Sequence, residues 1–177
     1  GYDRHRKLIH GFYKARTHDI VAIDQCYIED KRSSLILKTI KELMTEYALT
    51  PYDEDTLKGD IRRIMIRTSY YYDDLMVVIV TNNEKPVNFE PFISALISQH
   101  PEITTLIQNI NGEDTNVVLG SKEKIFLGEG KIKDKLCGLD FNISSKSFYQ
   151  INVKQTEKLY QKAIELALAG QASEATN

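Results

Sequence analysis

The sequence predicts an α+β domain in which about three amphipathic helices pack on an antiparallel or mixed sheet of several short strands. Three observations predict it. Apolar residues recur at helical spacing within residues 30–47, 88–99 and 153–168. Short runs rich in β-branched residues, such as 61–68 and 75–80, lie between them. Turn sequences such as Asn111-Gly112 and Gly128-Glu129-Gly130 separate the later strands.

Length and composition narrow the class. At 177 residues the chain can bury one good core, or form one domain plus the edge of a second. A content of 42% hydrophobic and 27% charged residues describes a globular protein, without an apolar run that could cross a bilayer and without a signal-peptide pattern. A cytoplasmic location and no membrane partner are therefore expected. The net charge of -2 supplies no global attraction for nucleic acid, so any such affinity must be local. Cys26 and Cys137 match no zinc spacing, and a cytoplasmic chain argues against a disulfide between them. The four histidines have no carboxylate or cysteine partner at a catalytic spacing and read as solvated loop residues.

In chain order, residues 7–13 and 20–23 predict two short strands joined by a polar connection, preceded by the turn-like Asp3-Arg4-His5-Arg6-Lys7. Asp30 suits an N-cap. Leu35, Ile36, Ile40, Leu43, Met44 and Tyr47 then mark the buried stripe of a first helix, which Leu49-Thr50-Pro51 ends. Along residues 61–68, Ile64 and Ile66 face one way and Arg63, Met65 and Arg67 the other. The two arginines either meet phosphates or pair with Asp53, Glu54, Asp55 or Asp60 just upstream. Residues 75–80 form a nearly continuous apolar strand, reached through a hairpin loop over 69–74.

Asn88 or Glu90 starts a second helix whose inner stripe is Phe92, Ile93, Leu96 and Ile97. Residues 103–110 and 115–119 are expected as strands joined at Asn111-Gly112, and 124–126 and 131–132 as a hairpin across Gly128-Glu129-Gly130. That Gly-x-Gly lacks the third glycine and the following helix of a nucleotide-binding turn. Residues 139–143 read as a further strand. It leads through Ser147-Phe148-Tyr149-Gln150-Ile151-Asn152 into a third helix with Asn152 as N-cap, Gln155 three residues on, and Leu159, Ala163, Leu166 and Ala167 at helical spacing. Small and polar residues from Ala169 onward are expected to fray.

The string Ser147-Phe148-Tyr149-Gln150-Ile151-Asn152 keeps particular company: Asn109-Ile110-Asn111, Thr115-Asn116 and Leu119-Gly120 before it, Gln155-Thr156-Glu157-Lys158-Leu159-Tyr160 after it. Further upstream lie Tyr52-Asp53-Glu54, the run Ile61 through Arg67, Gly11-Phe12-Tyr13 and Thr17-His18-Asp19-Ile20-Val21. In this order the set resembles the RNA uracil-C5 methyltransferases that use S-adenosylmethionine, and it is similar to the middle of such a protein only.

The resemblance carries expectations. Residues 1–146 correspond to a central α+β domain, and 147–177 to the start of the catalytic, cofactor-binding domain, whose remainder is missing and would be a partner of this stretch. Gln150 matches the glutamine that contacts S-adenosylmethionine. Phe148 matches an aromatic beside the target base. Asn152, placed with Phe148 on the side of the substrate base, also helps hold the turn, and Arg63 and Arg67 are directed toward RNA, ribosomal or transfer. Cys26, in Asp24-Gln25-Cys26-Tyr27-Ile28, matches the last of four iron–sulfur cysteines found in some members, or else is a small buried apolar residue. The family's nucleophilic cysteine and its base fall beyond residue 152, so this stretch has no catalytic residue of its own and should not transfer methyl groups alone. The alternative is a non-catalytic RNA-binding or assembly module on the same scaffold.

Overall fold

A computed structural model describes residues 1–174. Strands β1 (Gly11–Tyr13) and β2 (Ile20–Ala22) pair antiparallel across the polar segment 14–19, as expected. Before them the chain folds back so that Tyr2 bridges Leu8, and the Asp3 carboxylate accepts the His5 and Lys7 N–H groups at 2.8 Å each. Helix α1 (Lys31–Glu46) starts where Asp30 accepts the Arg32 N–H at 2.8 Å. It ends in a left-handed turn at Ala48, φ 57°, where the Leu49 N–H reaches back to the Met44 carbonyl at 2.9 Å. Ile36, Ile40, Leu43 and Met44 are buried as predicted, but Leu35 is exposed, one position outside the stripe.

The main sheet has the order β3-β4-β5-β6, from β3 (Ile61–Thr68), β4 (Leu75–Thr81), β5 (Thr105–Ile110) and β6 (Lys122–Leu127). Every residue of β4 is buried, which explains its unbroken apolar sequence: it lies between strands and is covered on both faces. Helix α2 (Phe89–Gln99) carries the chain from β4 back to β5, which therefore runs parallel to β4, the one departure from hairpin links in this sheet. On one face Leu75, Val77, Ile79 and Leu106 meet Ile36, Ile40 and Leu43 of α1 and Phe89, Phe92, Ile93 and Leu96 of α2. On the other, Met76, Val78 and Ile107 meet Ile132 and Ile143 of a separate hairpin.

That hairpin is β7 (Lys131–Leu136) with β8 (Leu139–Ser144), closed by Cys137 and Gly138 at φ 49° and 81°, the two-residue turn that matches strand twist. The hairpin expected across 128–130 is not formed. The turn is there, but it passes the chain from β6, which pairs with β5, to β7, which pairs with β8. Residues 115–119 are likewise not a strand: the Thr115, Val117 and Val118 carbonyls accept from the side chains of Arg62 and Asn111 in place of a ladder partner. Asn109 closes that loop by bonding both backbone groups of Gly120, which lies so near the Ile110 carbonyl that a Cβ would stand 1.9 Å from the oxygen.

Helix α3 (Val153–Glu174) begins as predicted: Asn152 Oδ1 accepts the Gln155 N–H at 3.1 Å. Its stripe does not pack as expected. Val153 and Thr156 are buried, whereas Leu159 and Leu166 are more than 60% exposed, because no other element among the described residues covers that part of the helix. The helix continues through 169–174, where fraying was expected; 175–177 lie outside the described residues. Among the described residues no helix is long and apolar enough to cross a membrane.

Candidate functional site

A cleft of about 1320 Å³ runs beside β3, the edge strand of the main sheet, between the β1–β2 hairpin, α1 and the turn that enters α3. It brings together Cys26, Arg63, Arg67, Phe148, Gln150 and Asn152, residues spread over more than a hundred positions of sequence. The entering turn is built from its ends. Ser147 Oγ accepts the Ser144 N–H at 3.1 Å, Tyr149 tucks its ring against the β7–β8 layer with its hydroxyl donating to the Lys135 carbonyl at 3.2 Å, and Asn152 caps α3. Burial, helped by the Asp134 and Glu157 charges, pushes the Tyr149 phenol up to about 12, so it stays a neutral donor.

With Tyr149 anchored, its neighbours turn outward. Phe148 is 85% exposed, Ile151 99%, and the Gln150 amide is exposed on the cleft wall. Exposing a phenylalanine costs apolar hydration that an ordinary turn avoids, which marks this one as a surface awaiting contact. The amide offers a donor pair and an acceptor to whatever enters.

The two arginines differ. Arg63 pairs with Glu54 at 2.8 Å, donates to the Tyr13 hydroxyl at 3.0 Å and lies over that ring at 4.8 Å, so its charge is already spent within the fold. Arg67 has no carboxylate or hydrogen-bond partner among the described residues; its Nε is buried unpaired, and desolvation lowers its affinity for the proton below the usual arginine range. Arg62, which the sequence pattern did not single out, is the buried one. It donates to the Asn111 and Glu113 carbonyls at 2.9 and 2.8 Å and to Glu54 at 2.9 Å, and it lies 4.4 Å over the Tyr52 ring. A register shift between Ile61 and Arg63 accompanies this placement, and partners about fifty residues away left no local signal. Also missed was Asp134, 1% exposed, which accepts the N–H groups of Tyr70, Tyr71 and Lys135 and so fixes the β3–β4 loop. Glu157 ties α3 to the same loop, taking the Tyr71 hydroxyl at 3.0 Å and the Cys137 N–H at 3.1 Å.

Cys26 is half-buried and Cys137 exposed at the β7–β8 turn. An iron–sulfur cluster takes about four thiolates. The chain has two cysteines, and among the described residues no group of three or more His, Cys, Asp or Glu side chains converges as a metal site. Its own residues therefore do not fit a cluster.

No protein-family model matches the chain. A protein of Staphylococcus epidermidis named as an uncharacterized RNA methyltransferase is 38% identical over 167 residues, 94% of this chain. Proteins of the same description from Oceanobacillus iheyensis and Listeria innocua are 40% and 41% identical over 166 and 161 residues. The chain is similar to these RNA methyltransferases over nearly its whole length. It spans little more than a third of their length, 35–37% in the three. A crystal structure of the Pyrococcus abyssi tRNA (uracil-54, C5)-methyltransferase in complex with S-adenosyl-L-homocysteine superposes with a TM-score of 0.70 over 87% of this chain and 36% of that one. At 22% identity it shows that the α+β fold is shared. The cleft beside β3 is thus a feature of a segment whose relatives extend well beyond it.

Proposed function

We propose that this chain is part of an S-adenosylmethionine-dependent RNA methyltransferase that forms 5-methyluridine in ribosomal or transfer RNA. Residues 1–146 act as a central domain that positions RNA, and 147–177 open the cofactor-binding domain. The observation that carries the reading is the turn at 148–152: an aromatic and an amide held outward over the cleft by a half-buried Tyr149 on one side and a helix cap on the other. Bound S-adenosylmethionine would supply an electrophilic methyl group. Gln150 would hold it by donating and accepting hydrogen bonds, forming one wall of its pocket. Phe148 would stack on a uracil swung out of the RNA, a contact worth about 1–3 kcal/mol. Asn152 keeps the turn in place rather than touching the ligand, and Arg67 rather than Arg63 is the arginine with charge to spare for phosphate. The nucleophile and the base that removes the C5 proton are not among this chain's residues, so the stretch alone is inactive.

The test is release of tritium from RNA carrying C5-tritiated uridine, using the longer protein and S-adenosylmethionine. Release that falls at least tenfold with Gln150→Ala is the expected result. No release by the longer protein, with RNA binding intact, would replace the enzyme by the non-catalytic RNA-binding module.

A further inference from the structure

The β3–β4 loop presents three consecutive tyrosines, Tyr70, Tyr71 and Tyr72, each 41–50% exposed. Aromatic rings left at a surface cost apolar hydration, and three in a row beside a cleft call for a use. Two of them have one. The Tyr71 hydroxyl donates to Glu157 of α3 and the Tyr72 hydroxyl to Asp140 of β8 at 2.6 Å, so both brace the loop against neighbouring elements. Tyr70 alone of the three lines the cleft that holds Phe148, Gln150 and Arg67.

Its ring is held firmly. The Tyr70 N–H donates to the buried Asp134 carboxylate at 3.1 Å, the next N–H donates to the other oxygen of the same carboxylate, and the Tyr71 ring meets Tyr70 edge-on at 5.0 Å and 90°. Over the ring, 5.3 Å from its centre, stands the ammonium of Lys154, two residues after the Asn152 cap. Lys154 forms no ion pair among the described residues, and Arg67, three residues before Tyr70, forms none either. The carboxylates nearby are engaged elsewhere: Asp73 by Arg32 at 2.8 Å, Asp134 by backbone N–H groups, Glu157 by Tyr71. A rigid exposed ring flanked by two unspent cations is how proteins hold single-stranded nucleic acid, the ring taking a base and the cations its phosphates.

We infer that Tyr70 is a stacking platform for a base of single-stranded RNA flanking the nucleotide at Phe148, with Lys154 and Arg67 taking the adjoining phosphates. The inference rests on the proposal that the cleft receives RNA, and it adds a second aromatic contact from the β3–β4 loop. A cation over an exposed ring is held weakly enough for a phosphate to draw Lys154 aside as the base arrives. Because stacking is indifferent to base identity, this contact adds grip and orientation without sequence preference.

The test uses the 177-residue chain and a fluorescein-labelled oligouridylate, with affinity read by anisotropy across a salt series and contacts mapped by ultraviolet crosslinking and peptide mass spectrometry. Tyr70→Ala is expected to weaken binding by roughly fivefold to a hundredfold and Tyr70→Phe to leave it within about twofold. Lys154→Gln should lower the salt slope by about one. The adduct on the unaltered chain should map to Tyr70, a signature that a merely structural role would not produce. Binding unchanged in Tyr70→Ala but weakened in Arg67→Gln or Phe148→Ala, or an adduct found only elsewhere, overturns the platform and leaves the RNA reading standing. No binding by the unaltered chain overturns both.

Discussion

Replacing Arg62 by methionine removes a heavily used buried side chain while roughly keeping its volume. The side chain is 3% exposed, and its guanidinium serves three carbonyls of the 111–115 loop, the Glu54 carboxylate and the Tyr52 ring face. Its loss leaves buried acceptors without donors, and breaking one member of a buried pair typically costs about 3–5 kcal/mol. Arg63 still neutralises Glu54 at 2.8 Å, so the lower end applies, roughly 3 kcal/mol. For a chain of this size that corresponds to a fall in Tm of about 6–12 °C. Urea unfolding followed by circular dichroism, with coincident fluorescence to confirm a single transition, gives the number. Arg62→Lys should recover little, since an ammonium cannot span four acceptors in a plane. A loss below about 1 kcal/mol would refute the reasoning, because the loop would then be held by Asn109 and Asn111 without the arginine.

Three further outcomes follow from the same contacts. Arg67→Gln should reduce the salt slope of RNA binding by about one while Arg63→Gln leaves it nearly unchanged, and Arg67→Met should raise stability, since it removes an unpaired, partly desolvated charge. Asp30→Ala should cost about 1 kcal/mol at neutral pH through loss of the α1 cap. The Asp30 carboxyl is held below its ordinary value of 3.8, chiefly by the Arg32 side chain, so its contribution is present above that pH and lost as pH falls through the folded value; the gap between variant and parent should close in acid unfolding below pH 3.8. Asn152→Ala should cost about 1 kcal/mol and loosen the first turn of α3, seen as faster amide exchange at Gln155 and Thr156.

What could be read in advance was whatever lies close along the chain. The Asp30 cap, the stripe Ile36-Ile40-Leu43, the unbroken apolar β4 and the Asn152 cap each report a local pattern, and each stands where it was expected. Partnership between distant segments was not legible. The pairing of β6 with β5 rather than β7 depends on which sheet each strand joins, and the parallel return through α2 on where a helix packs. Leu159 and Leu166 have the spacing of a buried stripe, yet spacing says nothing about whether a second surface is present to cover it. At the site, Phe148 and Gln150 were found through neighbouring motifs. Arg62 was passed over because its partners, the 111–115 loop and Glu54, meet it only after folding, and Asp134 because a lone aspartate within a lysine-rich strand carries no hint of three N–H groups around it.

The claim on which the rest depends is that the Gln150 amide is one wall of a methyl-donor pocket. Calorimetric titration of S-adenosylmethionine into the longer protein, unaltered and with Gln150→Ala, tests it most directly. Loss of one or two charge-free hydrogen bonds in a cleft predicts affinity at least about fivefold weaker in the variant, with unchanged thermal stability because the side chain is exposed and makes no hydrogen bond among the described residues. Equal affinity in the two proteins would contradict the account and move the pocket away from the turn at 148–152.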